Sequence, residues 1–74
     1  MSKTDDVRGV VAKLAHRDLA KVTDDVRLAE DLGIKSAGRI ELALSLEDVL
    51  GRSVSDATVM KAKTVGDLVK ALGA

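Results

Sequence analysis

Two stretches of the chain place apolar residues at i, i+3, i+4 and i+7, the spacing that lines one face of an α-helix. In TDDVRGVVAKLAH the set is Val7, Val10, Val11 and Leu14. It predicts a helix over about residues 4–16, with Thr4 or Ser2 as cap and Asp5 and Asp6 favourable at the positive end of the dipole. In TVGDLVKALG the set is Val65, Leu68, Val69 and Leu72. Thr64 and Asp67 make a T-x-x-D capping box there, and the helix is expected over about 65–73. A shorter helix, about 56–61, follows from Ser55 as its cap and Val54, Val59 and Met60 as its apolar anchors. Residues 17–35, RDLAKVTDDVRLAEDLGIK, form a long connection. Loops of that length are uncommon in compact domains. Leu19, Val22, Val26, Leu28, Leu32 and Ile34 recur through it and are expected to pin it to a core.

The remaining helix, about 36–50, carries two apolar sectors. At about 100° per residue, Leu42, Ala43, Leu46, Val49 and Leu50 share an arc of roughly 120°, the face expected to dock on the first and last helices. Ala37, Ile40 and Leu44 lie on a second arc, about 100° or more from the centre of the first, with Glu41, Glu47 and Asp48 around them and Ser36 near its edge. Arg39 is assigned to the far flank, which leaves the second patch acidic. Either the helix is buried across a wide arc, or the patch is a docking surface whose carboxylates favour basic partners. Ser36 also has two readings. Most serines before a helix only accept a hydrogen bond from a first-turn N–H. The less common reading is a modification site, where the dipole and free N–H groups would stabilise a phosphate diester and Gly33 keeps the approach open.

Composition narrows the chemistry. With 74 residues the chain is one small domain. It has no Cys, which excludes disulfides and thiolate metal sites, and its single His16 has no partner at a ligand spacing. No metal site is expected. Twelve basic and twelve acidic residues cancel, and aromatic residues are absent, so the pattern of a nucleic-acid-binding face is missing. The longest apolar run is far short of a membrane span, and the N-terminus is charged where a signal peptide would be apolar. A cytoplasmic protein that binds neither nucleic acid nor membrane is the expectation. No His or acid is placed to activate Ser36, so no catalytic residue is assigned.

The stretch LAEDLGIKSAGRIELALSLEDVLG, followed by Val54, a short polar segment and TVGDLV, resembles the acyl carrier proteins and related carrier domains of fatty-acid, polyketide and peptide synthesis. Their usual pattern reads acidic residue, Leu, Gly, any residue, Asp, Ser, Leu, two residues, Val or Ile, Glu, Leu. Asp31, Leu32, Gly33, Ser36, Ile40, Glu41, Leu42, Leu46, Glu47, Gly51, Val54, Thr64 and Val65 match, in an order that covers nearly the whole chain. The resemblance implies an all-α fold, a small bundle of three main helices plus a short third helix, with a long loop between the first two and a single carrier domain over residues 1–74. It implies that Ser36 receives 4'-phosphopantetheine from coenzyme A through a separate phosphopantetheinyl transferase. The thiol of that arm would carry acyl groups as thioesters, and the protein would be a non-catalytic carrier. The implied partners are the transferase, an acyl-loading enzyme or acyltransferase, and a ketosynthase or other biosynthetic enzymes, met by a monomer. Lys35, Ala37, Arg39, Ile40, Glu41, Leu44, Glu47 and Asp48 are the expected partner-binding residues.

Two positions depart from the pattern beside the serine. Lys35 stands where Asp is usual, reversing the charge where the transferase works, and Ala37 stands where Leu is usual, which removes a large apolar contact. Arg39 adds a second positive charge, and the chain is neutral where general fatty-acid carriers are strongly acidic. These features point to a specialised, stand-alone carrier of secondary metabolism, polyketide or related, with dedicated partners. The alternatives are a peptidyl or aminoacyl carrier, which the IEL after the serine disfavours, and an unmodified interaction module in which Ser36 is only a cap.

Overall fold

A computed structural model describes residues 3–73. Its elements are α1 (Lys3–Ala15), a single 3-10 turn (Leu19–Lys21), α2 (Ser36–Leu50), α3 (Asp56–Lys61) and α4 (Val65–Ala71). The fold is the small all-α bundle with a short third helix. The apolar repeats of the sequence meet in one core: Val7 and Val11 of α1, Leu42 and Leu46 of α2, Val59 of α3, and Val65 and Leu68 of α4 are fully buried. The core face of α2 packs most closely on α1 and α3, and α4 closes the bundle against the same two helices. Direct packing of α2 on the last helix, as its periodicity suggested, gives way to this arrangement because the long loop fills the space beside α4.

Each helix end has a chemical reason. α1 already includes Lys3 and Thr4, so Thr4 is not its cap, and Ser2 lies outside the described residues. α1 stops at a Schellman motif: Arg17 N–H donates to Ala12 O (2.9 Å), His16 N–H donates to Lys13 O (3.3 Å), and His16 takes the left-handed conformation (φ 56°) that the motif requires. α2 ends at Gly51, also left-handed, whose N–H donates to Glu47 O at 2.9 Å. Ser55 caps α3 by accepting from Ala57 N–H at 3.2 Å. Thr64 and Asp67 form the capping box of α4, with Asp67 N–H to Thr64 Oγ1 at 3.1 Å and Thr64 N–H to Asp67 Oδ2 at 3.3 Å.

The long loop is fastened to the α3–α4 junction by backbone bonds. Leu28 N–H donates to Lys63 O, Val65 N–H to Val26 O and Gly66 N–H to Asp24 O, each at 2.9 Å. The last of these favours a glycine, since a Cβ at position 66 would lie a tight 3.0 Å from the Asp24 carbonyl oxygen. An Arg8–Asp24 ion pair adds a tie to α1. Of the loop's apolar residues, Val22, Leu28 and Ile34 are buried and Val26 and Leu32 pack partly against the core. Leu19 is the exception, 53% exposed at the start of the three-residue 3-10 turn, none of whose residues is buried.

Candidate functional site

Ser36 is presented by a short chain of local constraints. Residues 27–32 wind into a helical turn, with Asp31 N–H and Leu32 N–H both donating to Arg27 O, at 3.1 and 3.2 Å. Asp31 stabilises the turn in return, accepting from Arg27 N–H at 2.9 Å and lying 3.4 Å from its guanidinium. The Arg27 backbone N–H first, and its side chain second, hold the Asp31 carboxyl below its ordinary range, and the same pair raises Arg27. Gly33 follows with φ 70°, a left-handed step that glycine takes without strain, and reverses the chain. Ile34 then drops into the core, with its N–H on Leu28 O at 2.8 Å. A buried anchor one residue after a reversal fixes where Lys35 and Ser36 emerge.

Lys35 is extended and occupies the cap position of α2, and Ser36 is the first helical residue. No side chain caps this helix. The reading of Ser36 as an N-cap is therefore corrected: among the described residues its hydroxyl makes no hydrogen bond, and it is exposed at the end where the first-turn N–H groups lack helical partners. A serine one position inside the helix has its Oγ beside the first turn rather than in line with the N–H groups, so the cap geometry is lost.

Arg39 brings the second correction. It is expected on the far flank and among the partner-binding residues, but it is only 8% exposed and lies on the core side of α2. Nε donates to Ile34 O (3.1 Å), and Nη1 is shared among Val59 O (2.8 Å), Met60 O (3.1 Å) and Ala62 O (2.7 Å). The guanidinium thus binds the carbonyl-rich C-terminal end of α3 and joins it to α2 and to the residue before Lys35. It is a clamp inside the protein rather than a surface contact. The signal was available in the periodicity: at about 100° per residue position 39 falls between Leu46 and Leu50 in the core arc.

The other site residues separate by exposure. Ala37, Ile40, Glu41, Leu44 and Asp48 stand on the outer face of α2, with Ile40 45% and Leu44 61% exposed, so burial of this arc against the long loop does not occur. Glu47 is half-buried, and its Oε2 accepts Val54 N–H at 2.9 Å, fastening the loop after α2. That bond draws its carboxylate toward the protein and leaves Glu41 and Asp48 as the open acidic rim. A groove of about 440 Å³ runs between α1 and α2 beside them, lined by Leu14, Lys13, Glu41, Asp48 and Val49 among others. A smaller cavity, about 250 Å³, opens at Ser36 itself, between Lys35, Arg39, Ala29 and Met60. Met60, expected to anchor α3, is 40% exposed there, because the six-residue helix turns only Val59 fully inward.

The arrangement is an unengaged primary hydroxyl at a helix N-terminus, with a cavity next to it and an apolar, acid-rimmed helix face beyond. A family model described as phosphopantetheine attachment site matches residues 5–72. The chain belongs to that family. As a phosphopantetheine attachment domain it is a carrier: 4'-phosphopantetheine is attached covalently, and such carriers are met by phosphopantetheinyl transferases and by biosynthetic enzymes in general. No group of three or more His, Cys, Asp or Glu among the described residues could hold a metal ion, and no described helix is long and apolar enough to cross a membrane.

Proposed function

We propose that Ser36 is the attachment residue and that the protein is an acyl carrier of polyketide or related secondary metabolism, working in the cytoplasm. The observation that carries this is the placement of Ser36: first in α2, exposed, and free of the capping bond that would otherwise employ its hydroxyl. Within this domain the serine fits the group, because the N-terminal end of a fifteen-residue helix favours a phosphate and the neighbouring cavity gives it room. When attached, the arm supplies a terminal thiol that bears acyl groups as thioesters, chemistry the chain lacks without cysteine.

The chain's own part is to position and to present. Gly33 and Ile34 hold Ser36 at a fixed place, and Ala37, Ile40, Leu44, Glu41 and Asp48 offer enzymes a small apolar contact with an acidic rim. Tethering raises the effective concentration of the cargo at each enzyme so docked. The neutral net charge and Lys35 beside the serine support dedicated partners over general fatty-acid synthesis. The unmodified module, in which Ser36 acts as a cap, lacks that cap bond.

Incubation with coenzyme A, magnesium and a broad-specificity transferase tests this. The intact mass is expected to rise by one phosphopantetheine group in the wild type and not in Ser36→Ala, which should fold normally because no cap is lost. A gain that persists in Ser36→Ala would move the attachment to another residue.

A further inference from the structure

Two positive side chains stand beside Ser36 with no carboxylate to account for either. Arg39 is buried, its partners are four carbonyl oxygens, and no acidic group pairs with it among the described residues. A buried guanidinium without a counter-ion is costly, and carbonyl dipoles offset only part of the cost. Nε and Nη1 make all four bonds, so Nη2 has no protein acceptor among the described residues, and it is open to solvent rather than sealed in the core. Arg39 and Lys35 line, with Ser36, Ala29 and Met60, the cavity of about 250 Å³ at the start of α2.

We propose that this cavity is an anion subsite that holds the phosphodiester of the arm, with the guanidinium of Arg39 and the ammonium of Lys35 as its two cations. The proposal rests on Ser36 being the attachment residue. A phosphodiester at Ser36 has its phosphorus bonded to the serine oxygen, so the anion is delivered to the mouth of a cavity that the same serine lines. It arrives without the loss of freedom that a separate ligand suffers. Charge-assisted bonds from a guanidinium to phosphate oxygens are among the stronger hydrogen bonds available, and Lys35 adds a point charge at the same place. Attachment would thus supply the counter-ion that Arg39 lacks and fix the direction in which the arm leaves the protein. One role then accounts for both Lys35 and Arg39.

The test is a comparison of thermal midpoints with and without the arm in the wild type, Lys35→Met and Arg39→Met, each confirmed by intact mass. Attachment is expected to raise the wild-type midpoint by about 4 °C or more. The increment should shrink in both variants and fall with added salt. If Arg39 serves packing alone, Arg39→Met lowers both forms equally and the increment does not change, which overturns the proposal. Lys35 is exposed, so its variant folds and decides the matter should Arg39→Met be too unstable. If no mass is gained, the attachment reading fails, and the subsite is judged on the unmodified chain titrated with dimethyl phosphate. Saturable shifts of the Arg39 side-chain Nε–H and the Lys35 amide support it, and their absence refutes it.

Discussion

Replacing Arg39 with Met should damage this protein more than any surface substitution. Arg and Met have nearly equal helix propensity, so an exposed position 39 would tolerate the change with little effect. Each hydrogen bond from a charged donor contributes about 1.5–3 kcal/mol net. Three of the four share Nη1, and burial of the guanidinium itself costs several kcal/mol, so the bonds do not add. What decides the outcome is the set of acceptors left behind. Ile34 and Ala62 are buried, and their carbonyls have no other protein donor among the described residues. At about 1–3 kcal/mol for each of these two unsatisfied groups, the expected loss is about 2–6 kcal/mol. A domain of 74 residues holds roughly 4–11 kcal/mol in all, so the loss removes about a fifth at the least. Urea unfolding followed by far-UV circular dichroism is the assay, because the chain has no aromatic fluorophore. Arg39→Lys keeps the charge without the planar fork and should lose most of the same stability. A loss below about 0.5 kcal/mol in Arg39→Met would refute the clamp.

Other expectations follow from the same geometry. Leu44→Ala should leave the urea midpoint nearly unchanged while slowing thioester transfer from partner enzymes, whereas Leu46→Ala, fully buried, should cost about 2–5 kcal/mol. His16→Gly should stabilise the protein by about 0.5–1 kcal/mol, since the left-handed residue that ends α1 carries a side chain where glycine has no penalty, and thermal melts will read this. Asp31 and Asp25 are held below their ordinary range, Asp31 by the N–H and side chain of Arg27 and Asp25 by the Thr23 hydroxyl. The unfolded chain therefore binds more protons, so stability is present above the unfolded value near 3.9 and is lost as pH falls below about 4 through the folded values. Asp31→Asn should flatten that decline in acid denaturation curves, and an unchanged slope would show that the Arg27 contact is not the cause.

Most of the fold was legible because the helices are amphipathic and their ends carry explicit signals. Val7, Val10, Val11 and Leu14, then Val65, Leu68, Val69 and Leu72, mark faces that pack inward, and Ser55 and the Thr64–Asp67 box cap the helices that follow them. What was not legible depends on groups far apart in the chain. The Arg39 clamp joins α2 to carbonyls twenty or more residues away, which no local pattern encodes, although its angular position gave a warning. Ser36 looked like a cap because serine before a helix usually is one, but α2 begins at Ser36 itself and Lys35 takes the cap position. Glu47 looked like part of a surface rim, but the chain reversal at Gly51 brings Val54 N–H back to it. Leu19 counted as a core residue on hydrophobicity alone, and the tight turn after α1 leaves it in solvent.

The most direct test of the central assignment is peptide-level mass spectrometry of the chain after modification, or as purified from its native host. The phosphopantetheine group is expected on the fragment carrying Ser36, and on none carrying Ser45, Ser53 or Ser55. The group on any other serine, or an unmodified chain from a host with an active transferase, would contradict it.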